Sequence, residues 1–429
     1  MGFLAIRASG VVAALGIDME DSFAVPRQSS KVLLVSVLPY LFSARLVLGL
    51  EQLGAAVAVV CPTRHPIHHL RRPPLRFPLG IAGANSWGPF GACARVKTVI
   101  EHFRPDAIIP CDDYAAQILH RIARSAPART ARLIENSLGP IAAYATLESK
   151  TAQVALARQR NIRTPVFEII ESRRSLREAL GDVGLPAFMK RDDSWAGQGV
   201  RRITDEADLD DAWRELSQRH SVIHALKNVR KMGLRHALAG IRRTRPAIHL
   251  QAAIAGQPAN RTIVCHDGEI IGGFSLVAVA TSSENGPASV VRVADNPEMA
   301  GAAEVLTKEL RLSGLVGFDF VVAESGAAYF LEINARATPA ATLSVADSPD
   351  LLGILLRTLT PSSAAPARAV AGDTIALFPD EMLRDEASPF LETAHHDVPA
   401  DEPGLIEFGM AQIRDKAVQE EATETASGR

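Results

Sequence analysis

Residues 314–336 read GLVGFDFVVAESGAAYFLEINAR and decide how the fold is interpreted. Two runs rich in β-branched and aromatic residues, Val316–Ala323 and Ala328–Asn334, are separated by a short stretch that contains Ser325-Gly326. Strand-forming runs on either side of a Gly-containing turn are typical of a β-hairpin. The sequence therefore predicts a hairpin here, and the register of its strands depends on the length of the loop.

This hairpin brings acidic side chains together. A two-residue turn at Ser325-Gly326, or a four-residue loop, places Asp319 directly opposite Glu332, whereas an odd loop would break this match. Opposed residues have Cβ atoms roughly 4.5–5.5 Å apart, and like charges there are destabilising. Asn334 emerges on the same face as Glu332. Two carboxylates and an amide oxygen suit Mg²⁺ or Mn²⁺. The alternative is that both acids are solvated, although the apolar residues beside them favour a lined cleft.

Length and composition indicate a globular protein. The chain has 429 residues, 47% of them hydrophobic and 22% charged, so it should hold two or three domains. A formal charge of −2 argues against nucleic-acid binding through overall charge. The four cysteines lie far apart, which favours a reducing, cytoplasmic compartment. No apolar run reaches the roughly 18–20 residues that a membrane span needs.

The chain before residue 80 has an alternating pattern. Lys31–Val37 reads as a buried strand, Phe42–Leu53 as a helix and Ala56–Val60 as a second strand, so a parallel β-α-β unit is expected. Pro39-Tyr40 stands where a dinucleotide-binding fold has its Gly-rich fingerprint, which argues against a nicotinamide oxidoreductase. Arg64–Pro78, rich in His, Arg and Pro, reads as a loop.

Two adjacent acids follow another short strand. Ala107–Pro110 is strand-like, and Asp112-Asp113 come directly after Cys111. Acids at the carboxyl end of such a strand stand where open α/β sheets bind ligands. They can equally cap the helix predicted over Tyr114–Arg124, and this capping role is the favoured interpretation.

Two lysines occupy positions suited to anion binding. Ser149 is a plausible N-cap with Lys150 in the first turn, where a cation is unfavourable unless an anion is bound. Lys190 ends a predicted strand, and a Gly-containing loop then leads to the strand Val200–Ile203. Such a loop can fold its N–H groups over phosphates. The alternatives are exposed lysines and an ordinary turn.

A basic segment is the main irregularity of charge. Between Leu216 and His266 there is no Asp or Glu. We interpret residues 219–245 as a docking surface for an acidic or phosphorylated substrate or carrier, or alternatively as a solvated basic face. The basic residues of the acid-free span are Arg219, Lys227, Arg230, Lys231, Arg235, Arg242, Arg243, Arg245 and Arg261.

The order of these features over residues 30–360 resembles the ATP-grasp superfamily, in the branch of carbamoyl-phosphate synthases and carboxylate–amine ligases. Gly-Phe-Asp followed by Glu332-Ile-Asn-Ala-Arg336 is its most specific part. The resemblance implies an α/β chain, α+β in its nucleotide-binding part, with a Rossmann-like pre-ATP-grasp domain and a two-lobed ATP-grasp domain. The expected parts are an N-terminal extension (1–29), the Rossmann-like domain (30–140), the ATP-grasp domain (141–360, lid lobe about 185–255), a C-terminal extension packing on the core (361–412) and a disordered tail (413–429).

The resemblance also implies residue roles. Lys150 and Lys190 would contact ATP phosphates, and the metal ligands would be Asp319, Glu332 and Asn334. Arg336 would face the transferred phosphoryl group, and Arg292 is a weaker candidate for gripping a substrate carboxylate, against a plain structural role. The other nucleotide-binding residues would be Gly197, Gly199 and Val200 in the phosphate loop and Gln251, Ala253 and Ile254 at the adenine. Relatives often carry Glu after this Gln, whereas here Ala252 follows.

The activity implied is an ATP- and Mg²⁺- (or Mn²⁺-) dependent ligase that joins small-molecule carboxylate and amine substrates through an acyl phosphate. Two alternatives stay open: a bicarbonate-using carboxylase or carbamoyl-phosphate-type enzyme, and a nucleotide-binding module without turnover. A homodimer is one possible assembly, because dimers are the commonest state of soluble enzymes.

Overall fold

A computed structural model describes residues 29–79, 89–192, 199–217, 247–283, 286–343, 345, 348–360 and 372–414. The predictions for the N-terminal extension up to residue 28, Gly197, the segment 219–245 and the tail beyond residue 414 lie outside these residues.

The first part of the chain forms a parallel sheet. Its elements are β1 (Lys31–Val35), α1 (Leu41–Gln52), β2 (Ala56–Cys61), β3 (Leu75–Pro78), α2 (Pro89–Phe103) and β4 (Ala107–Pro110). The strand order is β3-β2-β1-β4, and all three pairings are parallel, which confirms the predicted β-α-β unit. The prediction of a loop over Arg64–Pro78 is wrong in its last part, since β3 is an edge strand. Pro78 can end it because an edge leaves one row of N–H groups unpaired.

Helices lead from this sheet to the rest of the chain. They are α3 (Asp113–Ala123), α4 (Ala128–Leu138), α5 (Tyr144–Leu147) and α6 (Lys150–Gln159). Asp112 caps α3 by accepting a hydrogen bond from the Ala115 N–H at 2.9 Å, as predicted. Ser149 likewise caps α6 by accepting from the Ala152 N–H at 3.2 Å. Both helix starts are therefore fixed by local side-chain chemistry.

A small antiparallel sheet follows. Its elements are β5 (Phe167–Ile170), α7 (Leu176–Val183), β6 (Ala187–Arg191), β7 (Val200–Ile203), α8 (Ala207–Leu216) and β8 (Ile248–Ala252). The strand order is β5-β8-β6-β7, and α7 and α8 share one apolar core with the sheet. Lys190 on β6 pairs with His249 on β8, and both belong to the opposite face of the sheet. This face contributes to the site described below.

A seven-stranded sheet forms the largest part of the fold. It contains β9 (Gln257–His266), β10 (Glu269–Thr281), β11 (Ala288–Ala294), β12 (Gly314–Val322), β13 (Ala328–Asn334), β14 (Thr374–Ala376) and β15 (His395–His396), with α9 (Pro297–Leu310) between β11 and β12. The order is β13-β12-β9-β10-β11-β14-β15. Strands β9 and β10 form an antiparallel pair, and the predicted hairpin β12–β13 is present.

The remaining helices pack on this sheet and on the first one. They are α10 (Leu351–Leu359), α11 (Asp380–Arg384), α12 (Phe390–Thr393) and α13 (403–414), and short 3₁₀ turns cover Pro66–His69, Ile141–Ala143, Arg173–Ser175 and Pro339–Thr342. One buried cluster joins α1, α10 and one face of the large sheet. A second joins α9 to the other face. No helix in the described ranges is long and apolar enough to cross a membrane.

Gly314 lies where β12 closely approaches α4. Its φ of +87° lies in the left-handed region, and a Cβ there would meet the carbonyl oxygen of Ser137 on α4 at 2.2 Å. Gly54 has a similar φ of +83°, but a Cβ there would meet nothing within 4 Å. Comparing Gly314 with Gly54 therefore separates the effect of backbone strain from that of a steric clash.

We expect Gly314→Ala to lower the free energy of unfolding by about 3 kcal/mol or more, because strain and clash add, and Gly54→Ala to lower it by about 1–2 kcal/mol from strain alone. Urea unfolding of the two variants measures both values. Equal losses would mean that Gly314 and α4 do not approach as described.

Candidate active site

The hairpin places Asp319 opposite Glu332, as predicted, but by a different route. The loop between Ala323 and Ala327 holds three residues, closed by Ala323 N–H to Ala327 O at 3.0 Å. An odd loop shifts the register near the turn, and a β-bulge at Leu331 shifts it back before Asp319. The expectation that an odd loop would break the match is therefore wrong, since the bulge adds one residue to β13.

Asp319 is surrounded by amide donors. Asn260 on β9 donates its Nδ2–H to Oδ1 of Asp319 at 2.6 Å, and Asn334 donates its Nδ2–H to Oδ2 at 2.8 Å. Burial raises the pKa of Asp319, and the charge of Glu332 raises it further, while the amides oppose this shift. The carboxylate is thus held by two hydrogen bonds, and the charge of Arg336 also opposes the rise of its pKa.

Glu332 is paired with the lysine from the start of α6. Nζ of Lys150 lies 2.7 Å from Oε2 of Glu332, and both side chains remain about one-quarter exposed (24% and 26%). Burial alone would raise the pKa of Glu332, but Lys150, Lys190 and Arg336 together lower it. Glu332 therefore compensates the charge of Lys150, which would otherwise be unfavourable at the N-terminus of α6.

Gln153 fixes α6 against the hairpin. Its Oε1 accepts from the Ile333 N–H at 2.7 Å, and its Nε2 donates to the Ile333 carbonyl at 3.3 Å. Ile333 lies between Glu332 and Asn334 on the outermost strand of the sheet, so its outward backbone groups would otherwise be unpaired. Gln153 supplies them with partners, and it holds Lys150 one turn away at the level of Glu332.

Arg336 connects the hairpin to the first sheet. Its Nε donates to Oδ1 of Asp113 at 2.9 Å, its Nη2 to Oδ1 of Asn334 at 2.9 Å and its Nη1 to the Ala337 carbonyl at 3.3 Å. Burial would lower the pKa of Arg336, but Asp113 raises it above its usual value. Arg336 is therefore a fixed cation with its guanidinium aimed between the two sheets.

The small sheet contributes a second lysine. Lys190 pairs with His249 across β6 and β8, so both side chains share a face. Burial lowers the pKa of Lys190 to about 8, against the charge of Glu332, which raises it. Burial likewise lowers the pKa of His249 to about 3, and Lys190 and Lys150 add to this effect. His249 is therefore a neutral ring beside two lysines.

Asp192, which follows β6, ties this lobe to α6. It accepts hydrogen bonds from the Ser149 hydroxyl at 2.6 Å and from the Thr151 hydroxyl at 2.7 Å. The Thr151 N–H also points to it, at 3.2 Å. This carboxylate at the helix N-terminus brings the strand that carries Lys190 next to the helix that carries Lys150.

Other residues predicted to bind the nucleotide lie around Lys190. Val200 pairs with Lys190, and the Gly199 carbonyl accepts from the Arg191 N–H at 3.0 Å. Gln251 is buried on β8, and the Ala253 N–H already donates to the Pro186 carbonyl at 2.9 Å. Hence Ala253 has no free N–H for a base, so an adenine contact would depend on its carbonyl or on the partly buried Ile254.

Arg292 is not brought to this cleft. It pairs with Val277, which pairs with Ala259, which in turn pairs with Phe320. Phe320 follows Asp319 on β12, and successive residues of a strand point to opposite faces. Arg292 thus lies on the other face of the sheet, and a role in gripping the substrate is not supported. The prediction for Arg292 did not consider that its face of the sheet is set by the pairing of β11 through β10 and β9 to β12.

The donor set fits a hard divalent cation. Asp319 and Glu332 face each other, Asn334 stands on the same face, and the buried Oδ1 of Asn260 has no hydrogen-bond partner among the described residues. Oxygen donors of this kind are those that Mg²⁺ and Mn²⁺ prefer. Over the described ranges, no group of three or more His, Cys, Asp or Glu side chains is arranged to hold a metal. A cation here would therefore need amide oxygens beside the two carboxylates.

Several residues of the cleft had no predicted role there. Asn260 and Gln153 gave no local signal, because their partners are about 60 and 180 residues away. Asp113 was grouped with Asp112 as a helix cap, whereas Asp112 caps and Asp113 binds Arg336. The position of Asp113 after the carboxyl end of β4 was the feature of the sequence that could have indicated a role in the site.

A sequence comparison matches the part of the chain that contains the hairpin. Residues 247–340 match the sequence model of the ATP-grasp domain. The match includes Asp319, Glu332, Asn334 and Arg336, while Lys150 and Lys190 lie before it. No curated protein matches the sequence.

Comparison with solved structures shows the same fold. The Aspergillus clavatus carboxyaminoimidazole ribonucleotide synthase complexed with ATP is 16% identical, with a TM-score of 0.54 over 79% of this chain and 78% of that one. The biotin carboxylase domain of Hydrogenobacter thermophilus 2-oxoglutarate carboxylase, a dimer with MgADP and bicarbonate, is 14% identical (TM-score 0.57, 80% and 72%). The Bacillus licheniformis L-amino acid ligase is 14% identical (TM-score 0.50, 78% and 75%). At these identities the likeness concerns the fold alone.

We expect Lys190→Met to raise the free energy of unfolding at pH 7 by about 1–2 kcal/mol, less than the full pKa shift implies because the side chain is partly solvated. The folded-state pKa of Lys190, about 8, lies below the usual lysine value of 10.5. The buried charge therefore costs stability in full below pH 8, and this cost fades as the pH rises toward 10.5. Urea unfolding between pH 7 and 10.5 tests this, with Lys97→Met on α2 as the control, since Lys97 is 41% exposed. A destabilised Lys190→Met protein would contradict the described burial.

Proposed function

We propose, for a chain that contains an ATP-grasp domain in residues 247–340, that the protein is an ATP- and Mg²⁺-dependent ligase that activates a carboxylate as an acyl phosphate for attack by an amine. The observation that carries this proposal is the convergence of Lys150, Lys190 and Arg336 on the opposed pair Asp319 and Glu332. Simple nucleotide binding would need neither the pair of acids nor a third fixed cation.

The nucleotide would lie between the small and the large sheet. Lys150, which pairs with Glu332, and Lys190, whose charge acts on Glu332, would bind the phosphates, and Gly199 and Val200, with Gly197, would line the loop beside them. Gln251 and the backbone of Ala253 and Ile254 would meet the base. The low pKa of Lys190 fits this role, because a phosphate would replace the missing counter-charge.

Asp319, Glu332 and Asn334 would hold the Mg²⁺ ions. Bound there, Mg²⁺ neutralises charge on the phosphates and orients them. Lys150 would then leave Glu332 for a phosphate oxygen. The raised pKa of Asp319 agrees with such a site, since a cation would lower it again.

The first step is phosphoryl transfer. A substrate carboxylate oxygen attacks the γ-phosphorus, the bond to the β-phosphate oxygen breaks, and ADP leaves. Arg336 and the two lysines offset the charge that spreads over the moving group, and such pre-aligned cations account for most of the catalysis in this class of reaction.

The second step forms the amide bond. A neutral amine attacks the acyl carbon, phosphate leaves, and the amine loses one proton. The protein contributes mainly proximity, by holding both groups between the sheets. Exclusion of water matters as well, because water would hydrolyse the acyl phosphate.

The proposal includes the setting of the enzyme. Four unpaired cysteines support a reducing, cytoplasmic compartment. A homodimer is the assembly we propose, on the general frequency of dimers. The segment 219–245, outside the described residues, would serve an acidic or phosphorylated substrate or carrier.

The test is release of ADP and phosphate from Mg-ATP over pools of carboxylic acids, with and without pools of amines. Release that needs both an acid and an amine supports the ligase. Release with bicarbonate and no organic acid would favour the carboxylase alternative instead. ATP binding with no release under any condition would favour a module without turnover.

We expect Glu332→Gln to lower kcat/KM at least about 100-fold, because a carboxamide lacks the charge that holds Mg²⁺ and Lys150. The exposed Glu309→Gln, which loses only a surface pair with Arg160, should stay within about twofold. Circular dichroism checks that both variants fold. Retained activity in folded Glu332→Gln would remove this residue from the site.

A further inference from the structure

A cavity lies outside the candidate active site, between the first sheet and the large one. Its volume is about 340 Å³, which falls at the lower end of the range of small-molecule sites in proteins. Its walls come from β4, α4, the adjacent ends of β9 and β12, and α10. Its buried lining includes three residues of one apolar core cluster, Ile109, Leu315 and Leu355. Its exposed lining is polar and includes Asn136, His266 and Thr358.

The walls of this cavity are held together by hydrogen bonds and close packing. On the outer edge of β4, the Ile108 N–H donates to Oγ of Ser137 on α4 at 3.0 Å. Further along the same edge, the Pro110 carbonyl accepts from the Ala337 N–H at 3.0 Å. At Gly314, β12 approaches α4 so closely that a Cβ would clash. Because the edge of β4 is already bonded at two points, the cavity suits a small molecule rather than an added strand.

A shallow groove adjoins the cavity and carries an excess of positive charge. The two share Asp106 and Asn136, and the groove adds Arg129 and Arg132 of α4. Both arginines are exposed, and neither forms an ion pair with a residue that the structure describes. Residues three apart on a helix are neighbours, so these like charges repel each other. The carboxylate of Asp106 already accepts from the Lys31 N–H at 2.8 Å.

From the apolar interior and the charged groove, we infer that this cavity is a second binding site, which takes a small organic anion with an apolar body. The body contacts Leu315 and Leu355, and the carboxylate or phosphate lies at Arg129 and Arg132. Planar guanidinium groups bind either kind of anion through paired hydrogen bonds. The inference does not depend on the proposed ligase activity, because the lining residues are different from those of the candidate active site.

The cavity is also separated from the active site in space. Strand β12 begins at the cavity with Gly314 and reaches Asp319 five residues later. A strand rises roughly 3.4 Å per residue, so the two positions lie about 17 Å apart. A ligand in the cavity would therefore not take part in the reaction. It would contact β4, β12 and α10 together and stabilise the folded chain as its occupancy rises.

Equilibrium dialysis with two matched probes tests this inference on the full-length protein. The probes are 1-naphthaleneacetate and its neutral counterpart 1-naphthaleneacetamide, which share the apolar ring and differ in charge. Saturating Mg-ADP is present, so that the proposed nucleotide site is filled.

We expect the wild-type protein to bind the acid about fivefold more tightly than the amide. The difference is modest because exposed ion pairs contribute little. In the double variant Arg129→Gln/Arg132→Gln the two affinities should agree within about twofold, because the charge that favours the acid is removed. The double variant Arg177→Gln/Arg214→Gln, which changes exposed arginines on α7 and α8, should keep the wild-type difference.

Thr358→Trp tests the cavity itself, because the larger side chain fills the space of the naphthalene ring. Both probes should then bind at least about tenfold more weakly, since their apolar surface is no longer buried. The control is Thr393→Trp on α12. Both threonines are exposed and donate to a backbone carbonyl three or four residues earlier, so the two variants lose the same kind of hydrogen bond. Circular dichroism checks the fold, and the arginine variants decide the question if Thr358→Trp does not fold.

Three results would overturn the inference. Binding of neither probe to the wild type at millimolar concentration would show that the cavity takes no such anion. Equal affinities in the wild type, or an unchanged difference in Arg129→Gln/Arg132→Gln, would show that these arginines do not bind the anionic group. Undiminished binding to folded Thr358→Trp would place the probes elsewhere. The ADP-release screen tests the ligase proposal separately.

Discussion

Two carboxylates facing each other across β12 and β13 are the constraint on which the site depends. Like charges in this position oppose folding, so the surrounding structure must compensate them. Lys150 pairs with Glu332, and two asparagines donate to Asp319. A continuous hydrogen-bonded chain then leads from Asn260 through Asp319, Asn334 and Arg336 to Asp113. This chain links the middle of the large sheet to the edge of the first one.

The charges of the site are only partly compensated, and the ligands proposed for the site would complete this compensation. Asp319 keeps a raised pKa, Lys190 keeps a lowered one, and within the described part of the chain Oδ1 of Asn260 has no hydrogen-bond partner. Each is a cost to the folded protein, and in the proposed site a bound cation with phosphates would remove the first two. Such unresolved costs are expected where a protein trades stability for activity. Gln153 contributes to the site by fixing the position of Lys150 relative to the hairpin.

Local patterns in the sequence were enough to predict the hairpin, the first β-α-β unit and both helix caps, because each depends on neighbours within a few residues. The facing of Asp319 and Glu332 was predicted from an even loop, whereas the structure reaches it through an odd loop and a bulge. The bulge at Leu331 was not predictable, since it compensates a loop of unexpected length. Arg292 was misplaced because its face is set by pairing across three strands. Asn260 and Asp113 were missed as partners of the site because their contacts are made only by tertiary structure.

The central claim is that Asp319 and Glu332 form a metal site, and Mn²⁺ binding tests it most directly. Electron paramagnetic resonance counts free Mn²⁺ in a titration of the protein with ADP present. We expect the wild-type protein to bind Mn²⁺, and this binding to be weakened at least about tenfold in Asp319→Asn and in Glu332→Gln, because each variant loses a charged oxygen ligand. Unchanged affinity in both variants, with the fold intact, would contradict it.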